Sequence, residues 1–302
     1  MSHSHSHTHH HHKIHNYNRS FAIGIALNII FVVIEAGYGL VADSLALIAD
    51  AGHNFSDVMS LMLAWGASYL ARKAASSRKT YGYKKTTILA SLLNGIILMI
   101  AVGAIAYEAV QRLIDPVPVP GTTIIIVASI GVVINTVTAL LFMKGMKDDL
   151  NIKGAFLHMA ADAGVSVGVV IGGIIINATG FYLIDPLLSI IIVVIITIGT
   201  WGLLKESFNL TLDSVPEGID LEEVKNYLGS VEGVTDLHDL HIWAMSTTEN
   251  ALTAHVIINE SSDGDTLLKT LNKDLHDKFG IGHTTLQLEN EKLNNNCNGN
   301  CN

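Results

Sequence analysis

Cysteine is almost absent: Cys297 and Cys301 are the two in the chain, both in an Asn-rich end where a bridge would staple nothing, so a disulfide scaffold is excluded. Charge is scarce as well. Only 15% of residues are charged while 49% are hydrophobic, a balance that excludes an ordinary soluble globule. The N-terminus lacks the basic n-region, apolar h-region and small-residue cleavage site of a secretory leader, so the first hydrophobic helix is expected to stay in the mature protein. Basic residues are nearly missing after residue 211, where Lys225, Lys269, Lys273, Lys278 and Lys292 each stand against about three acids. An acidic end of that kind repels nucleic acid and anionic headgroups and attracts cations, so no nucleic-acid partner is expected.

What is present is a set of long apolar runs, such as 124–134 and 186–200, confined to residues 21–210. A bilayer core of about 30 Å needs about 20 apolar residues per helix. Segments 17–41, 45–72, 86–112, 121–144, 152–178 and 184–208 meet that need, and turn chemistry at 42–44, 115–121 and 177–180 separates them. The expectation is an all-α, six-helix transmembrane domain over residues 17–211, solvated by membrane lipid. Arg72, Lys73, Arg78, Lys79, Lys84 and Lys85 fill one loop and Lys144, Lys147 and Lys153 another, while the alternate side has only Arg112 close by. Positive charge stays inside, so both termini are expected to be cytoplasmic; a cell (inner) membrane is the expected location, and an organelle membrane suits the same arrangement.

Residues 1–16 open with MSHSHSHTHHHHKIH, which has nothing to bury; a native metal-binding tract and an expression tag are both consistent with it. Periodicity after residue 211 changes to short elements: helix 219–229, strands 234–243 and 250–259, helix 264–279 and strand 283–289. That αββαβ order predicts a small cytoplasmic α+β domain over 212–290, with 291–302 left as a tail.

Ionisable side chains inside a spanning helix cost roughly 2.5 to 3.5 kcal/mol per central Asp on insertion scales, so each requires a partner or a task. The second helix carries Asp50, His53 and Asp57, and the fifth His158 and Asp162. In both, His-x-x-x-Asp puts two side chains on one face a turn apart. A rise of about 1.5 Å per residue brings both pairs to the bilayer middle, where antiparallel helices set His53 level with Asp162 and Asp57 with His158. Two imidazoles and two carboxylates suit tetrahedral Zn2+, with Cd2+ and Co2+ also compatible, whereas Mg2+ or Ca2+ favours an all-oxygen shell. Asp43, seven residues before Asp50, reads as a helix cap or as the outer step of a polar path. Glu35, Asn28, Asn94, Glu108 and Asn135 read as interhelical hydrogen-bonding groups, and Gly164, Gly168 and Gly172 as a packing stripe.

SLALIADAGHNFSD in the second helix, TYGYKK after it, HMAADAGVSVG in the fifth and LHDLHIW in the tail resemble the cation diffusion facilitator family of metal/proton antiporters over residues 17–290. The resemblance implies a transport site at His53, Asp57, His158 and Asp162. It also implies a homodimer whose cytoplasmic, metallochaperone-like domain binds zinc through His238, His255, His283 and Glu289. His241 competes with His238, because residues three apart on a regular strand point to opposite faces. Some members hold a further metal in the loop after the second helix; residues 71–85 here contain no His, Asp or Glu, so none is expected.

Metal and protons compete for the same lone pairs, so the expected activity is alternating-access export of Zn2+ in exchange for protons, with zinc as substrate and regulatory ion and no cofactor required. A membrane zinc sensor or buffer is the rival reading. A metalloenzyme would need a general base, for which only Asp50 is close, and the chain is not expected to be an enzyme.

Overall fold

A computed structural model describes residues 18–143, 150–259 and 262–290; the His-rich tract of residues 1–16 and the tail beyond 290 lie outside them. Six long helices form in order: α1 (Asn18–Val41), α2 (Leu45–Ala71), α3 (Thr86–Ile114), α4 (Gly121–Met143), α5 (Leu150–Thr179) and α6 (Ile184–Thr211). Among the described residues, Thr86–Ile114, Gly121–Leu141, Phe156–Thr179 and Ile184–Thr211 are long and apolar enough to cross a membrane, and Ala26–Val41 is a shorter apolar stretch. The proline-rich run 115–120 ends α3, because proline cannot donate and disfavours helix before it. Gly180 ends α5 in the left-handed conformation at φ 68°, its N–H returning to the Ile176 carbonyl at 2.8 Å.

The chain divides into two compact units, Met1–Phe55 with Glu108–Ile192 and Ser56–Tyr107 with Val193–Asn302. In the first, α4 and α5 meet through glycines: a Cβ on Gly121 would lie 2.7 Å from the Gly173 carbonyl, and one on Gly131 would lie 2.5 Å from Phe31 Cζ and 3.2 Å from Ser166 Oγ. Gly131→Ala therefore overpacks the contact and is expected to cost about 1 to 3 kcal/mol, read as a lowered Tm in detergent micelles; an unchanged Tm would refute the close approach. The expected stripe is used only in part. Gly172 faces Leu188 of α6, but Gly164 and Gly168 have open space where a Cβ would stand.

The start of α2 also differs from expectation. Ser44, not Asp43, caps the helix, with its Oγ accepting from the Leu47 N–H at 3.3 Å. Asp43 is one residue earlier in the left-handed region at φ 52°, where Arg112 donates to its carbonyl at 2.5 Å and to its carboxylate at 2.6 Å.

In the second unit the elements that follow α6 are α7 (Leu221–Ser230), β1 (Val234–Ala244), β2 (Asn250–Ile258), α8 (Gly264–Phe279) and β3 (Ile281–Asn290). The sheet order is β1-β2-β3, with β1 antiparallel and β3 parallel to β2, so α8 is the crossover a parallel pair requires. Asp220 caps α7 by accepting from the N–H groups of Glu222 and Glu223. Val224 and Leu228 of α7 and Leu267, Leu271 and Leu275 of α8 pack on Leu252, Ala254 and Val256, so both helices cover one face of the sheet. The other face remains for polar residues. Within this unit Lys85 pairs with Asp213 at 2.5 Å, Lys84 with Glu249, and the Thr247 N–H donates to Thr87 Oγ1 at 3.0 Å, fastening the β1–β2 turn to the start of α3.

Candidate functional site

The first unit gathers the intramembrane ligand types on facing turns of α2 and α5. His53 Nε2 lies 3.2 Å from Asp162 Oδ1, and His158 Nε2 lies 3.7 Å from Asp162 Oδ2. The two imidazole rings are 6.0 Å apart at 72°. Asp162 is buried, whereas His158 is exposed, so the cluster has one closed wall and one open side. One turn along α5, Ser166 Oγ donates to Asp50 Oδ2 at 3.1 Å, which holds the two helices in the register that pairs His53 with Asp162. Asp57 is one turn past His53 on the same face of α2, just beyond the division at Phe55.

The position of His53 depends on how α2 begins. Asp185, in the first turn of α6, accepts from Ser44 Oγ at 2.5 Å, the Leu45 N–H at 2.8 Å and the Ala46 N–H at 3.3 Å. With Ser44 taking Leu47, the first three N–H groups of α2 are all satisfied inside the protein. Sequence reasoning missed Asp185; an acid inside an apolar run, directly before Pro186, was the available signal.

The three-stranded sheet gathers a second cluster on the face away from its helices. His238 of β1 pairs with His255 of β2, their rings 5.0 Å apart, and Glu289 of β3 reaches toward both from the other side of β2. Its Oε1 is 2.9 Å from His255 Nδ1 and its Oε2 3.8 Å from His238 Nε2. One ligand atom from each residue falls within 4.8 Å of the others. Glu289 is 5% exposed and its Oε2 has no hydrogen-bond partner among the described residues, which is the condition of a carboxylate that fits a cation.

His283 is not brought into this cluster. It pairs in register with Ala251, four residues from His255 along β2, and its ring stands edge-on to Tyr81 at 5.6 Å. Gln287 takes the neighbouring place, donating to Glu289 Oε1 at 2.7 Å. The alternation argument against His241 also needs correction. A bulge between His238 and His241 sets them opposite His255 and Thr253, so both share one face. His241 is kept out because it bonds Asp239 at 2.9 Å, where Asp239 takes the strained φ of 53°.

Two models of one family match the chain: the cation efflux transmembrane domain over residues 21–210 and the cation efflux protein cytoplasmic domain over 216–291. The chain belongs to the cation efflux, or cation diffusion facilitator, family; it is a multi-pass integral membrane transporter and not an enzyme. It is 37% identical to a cadmium, cobalt and zinc/H(+)-K(+) antiporter of Bacillus subtilis over 87% of this chain and 86% of that one. It is 37% identical to the metal cation efflux system protein CzcD of Cupriavidus metallidurans over 90% and 86%, and 34% identical to the zinc transporter ZitB of Yersinia pestis over 90% and 88%. A solved metal-bound C-terminal domain of the CzcD transporter matches 24% of this chain and 99% of its own at 39% identity, with a TM-score of 0.23.

Proposed function

We propose that the protein exports Zn2+, with Cd2+ and Co2+ as further substrates, from the cytoplasm in exchange for protons. The observation that carries this is Asp162, buried in α5 with His53 and His158 on its two oxygens. A carboxylate between two imidazoles is a donor set for a borderline divalent ion, and protons bind the same atoms. Asp57, on the His53 face of α2, completes a four-ligand transport site. The relatives named as cadmium, cobalt and zinc antiporters and as zinc transporters support the substrate class and the exchange.

The protein works as a homodimer with both termini cytoplasmic in the cell's inner membrane, its transmembrane domain over residues 17–211 and its cytoplasmic domain over 212–290. His238, His255 and Glu289 hold a regulatory zinc ion there, without His283. Glu289→Ala removes the one carboxylate, so zinc titration of the full-length variant is expected to lose one bound ion per chain with transmembrane binding intact. Equal zinc content in wild type and variant would refute that site.

The test of the whole reading is purified protein in proteoliposomes with an imposed pH gradient, followed by an internal zinc indicator. Uptake that rises with the gradient and is selective for Zn2+ over Mg2+ is the expected result. Absence of flux would leave a zinc sensor or buffer in its place.

A further inference from the structure

One turn outward from His53, two acidic side chains are buried together. Glu35 of α1 and Asp50 of α2 are both 0% exposed, and Glu35 lies against the Asp50 carboxyl and the Asn54 amide. Asn54 Nδ2 donates to the Asp50 backbone carbonyl at 3.0 Å, and Ser166 Oγ supplies a donor to Asp50 Oδ2. Neither Glu35 oxygen nor Asp50 Oδ1 meets a donor in good geometry among the described residues.

Among the described residues, no lysine or arginine acts on this pair. Among the described residues, the charged and titratable groups that act on it are its own two members with His53 and Asp162, and Ser166 is the neutral donor to Asp50 Oδ2. Two carboxylates in contact in a dry site cannot both stay ionised, and a proton carried by one and donated to the other supplies the hydrogen bond that two of the three orphaned oxygens lack. Acid pairs inside spanning helices are the usual material of proton paths.

We propose that Glu35 and Asp50 form a proton-carrying site distinct from the metal ligands, holding one exchangeable proton per transport cycle. The inference rests on the proton-coupled reading above. With its proton the pair has one negative charge, and without it two. Entry of Zn2+ one turn away favours the doubly negative form, so an O–H bond breaks and the proton leaves toward the cytoplasm. Departure of the ion on the far side leaves excess negative charge, and one proton enters from that side to remake the bond. No electrons change hands. Ser166 links the two sites, because it bonds Asp50 from the same face of α5 that carries Asp162.

The test compares wild type, Glu35→Gln, Asp50→Asn and the double variant in proteoliposomes, recording zinc with one internal dye and protons with another, and zinc-for-zinc exchange at equal pH. Glu35→Gln is expected to keep zinc exchange and to move one fewer proton per ion, and Asp50→Asn, which also touches the Ser166 bond, is expected to move one fewer proton for each ion it still exchanges. The double variant should lose no more than either single, since the proton is shared. An unchanged proton-to-zinc ratio in the singles overturns the proposal, as does loss of zinc exchange in both, which would make the pair part of the metal path. The two substitutions sit on different helices, so a variant that fails to fold still leaves the other to decide. Wild-type zinc flux with no proton movement would overturn the proton-coupled reading itself, whereas a coupled wild type with equally coupled variants removes this inference alone.

Discussion

Asp162→Ala is expected to reduce gradient-driven zinc uptake by at least about 100-fold, with Asp57→Ala following it and the folded fraction unchanged. Loss of an outer-sphere partner already lowers metal affinity by about 10- to 100-fold, and Asp162 is the group that both imidazoles address. Replacing it takes away the carboxylate that His53 and His158 share and removes one of the negative charges that offset a divalent ion. Asp162→Asn separates charge from shape: it keeps the volume, so a flux as low as that of the alanine variant assigns the effect to the carboxylate. Flux that persists in Asp162→Ala at the wild-type rate would place the ion path elsewhere.

The largest effect on stability is expected at Asp185. Its carboxylate is 1% exposed and takes one hydroxyl and two backbone donors at the start of α2. Asp185→Ala orphans the Leu45 and Ala46 N–H groups and the Ser44 hydroxyl where water does not replace the acceptor. Each buried donor left unmade costs about 1 to 3 kcal/mol, so a total of roughly 3 kcal/mol or more is expected, visible as a lowered Tm in detergent. Asp185→Asn keeps one acceptor oxygen and should recover part of it. If Asp185→Ala melts with the wild type, the carboxylate does not anchor α2.

Much of this molecule is legible from one-dimensional pattern. The six apolar segments, the Pro-rich break at 115–120 and the αββαβ order all follow from hydropathy, periodicity and turn residues, which are local properties. The pairing of His53 with Asp162 was legible too, because a helix turns side-chain spacing into direction and depth. What stayed hidden depends on contacts between distant segments. Asp185 reads as an acid in a first turn until Ser44 is seen beside it, and Glu35 as one more polar group until Asp50 is. His283 looked like a ligand from its motif, yet register alone sets it against Ala251. The strand argument about His241 failed for a single reason: one bulged residue resets the alternation on which it relied.

His238 and Glu289 stand on opposite edges of the cytoplasmic sheet and are about fifty residues apart along the chain, with the central strand between them. In polymer terms a ligand that bridges them is a cross-link, and one that closes so long a loop takes its effect largely from the denatured ensemble, which loses the freedom of everything between. For the zinc site proposed above, the domain's resistance to unfolding then rises with free metal concentration.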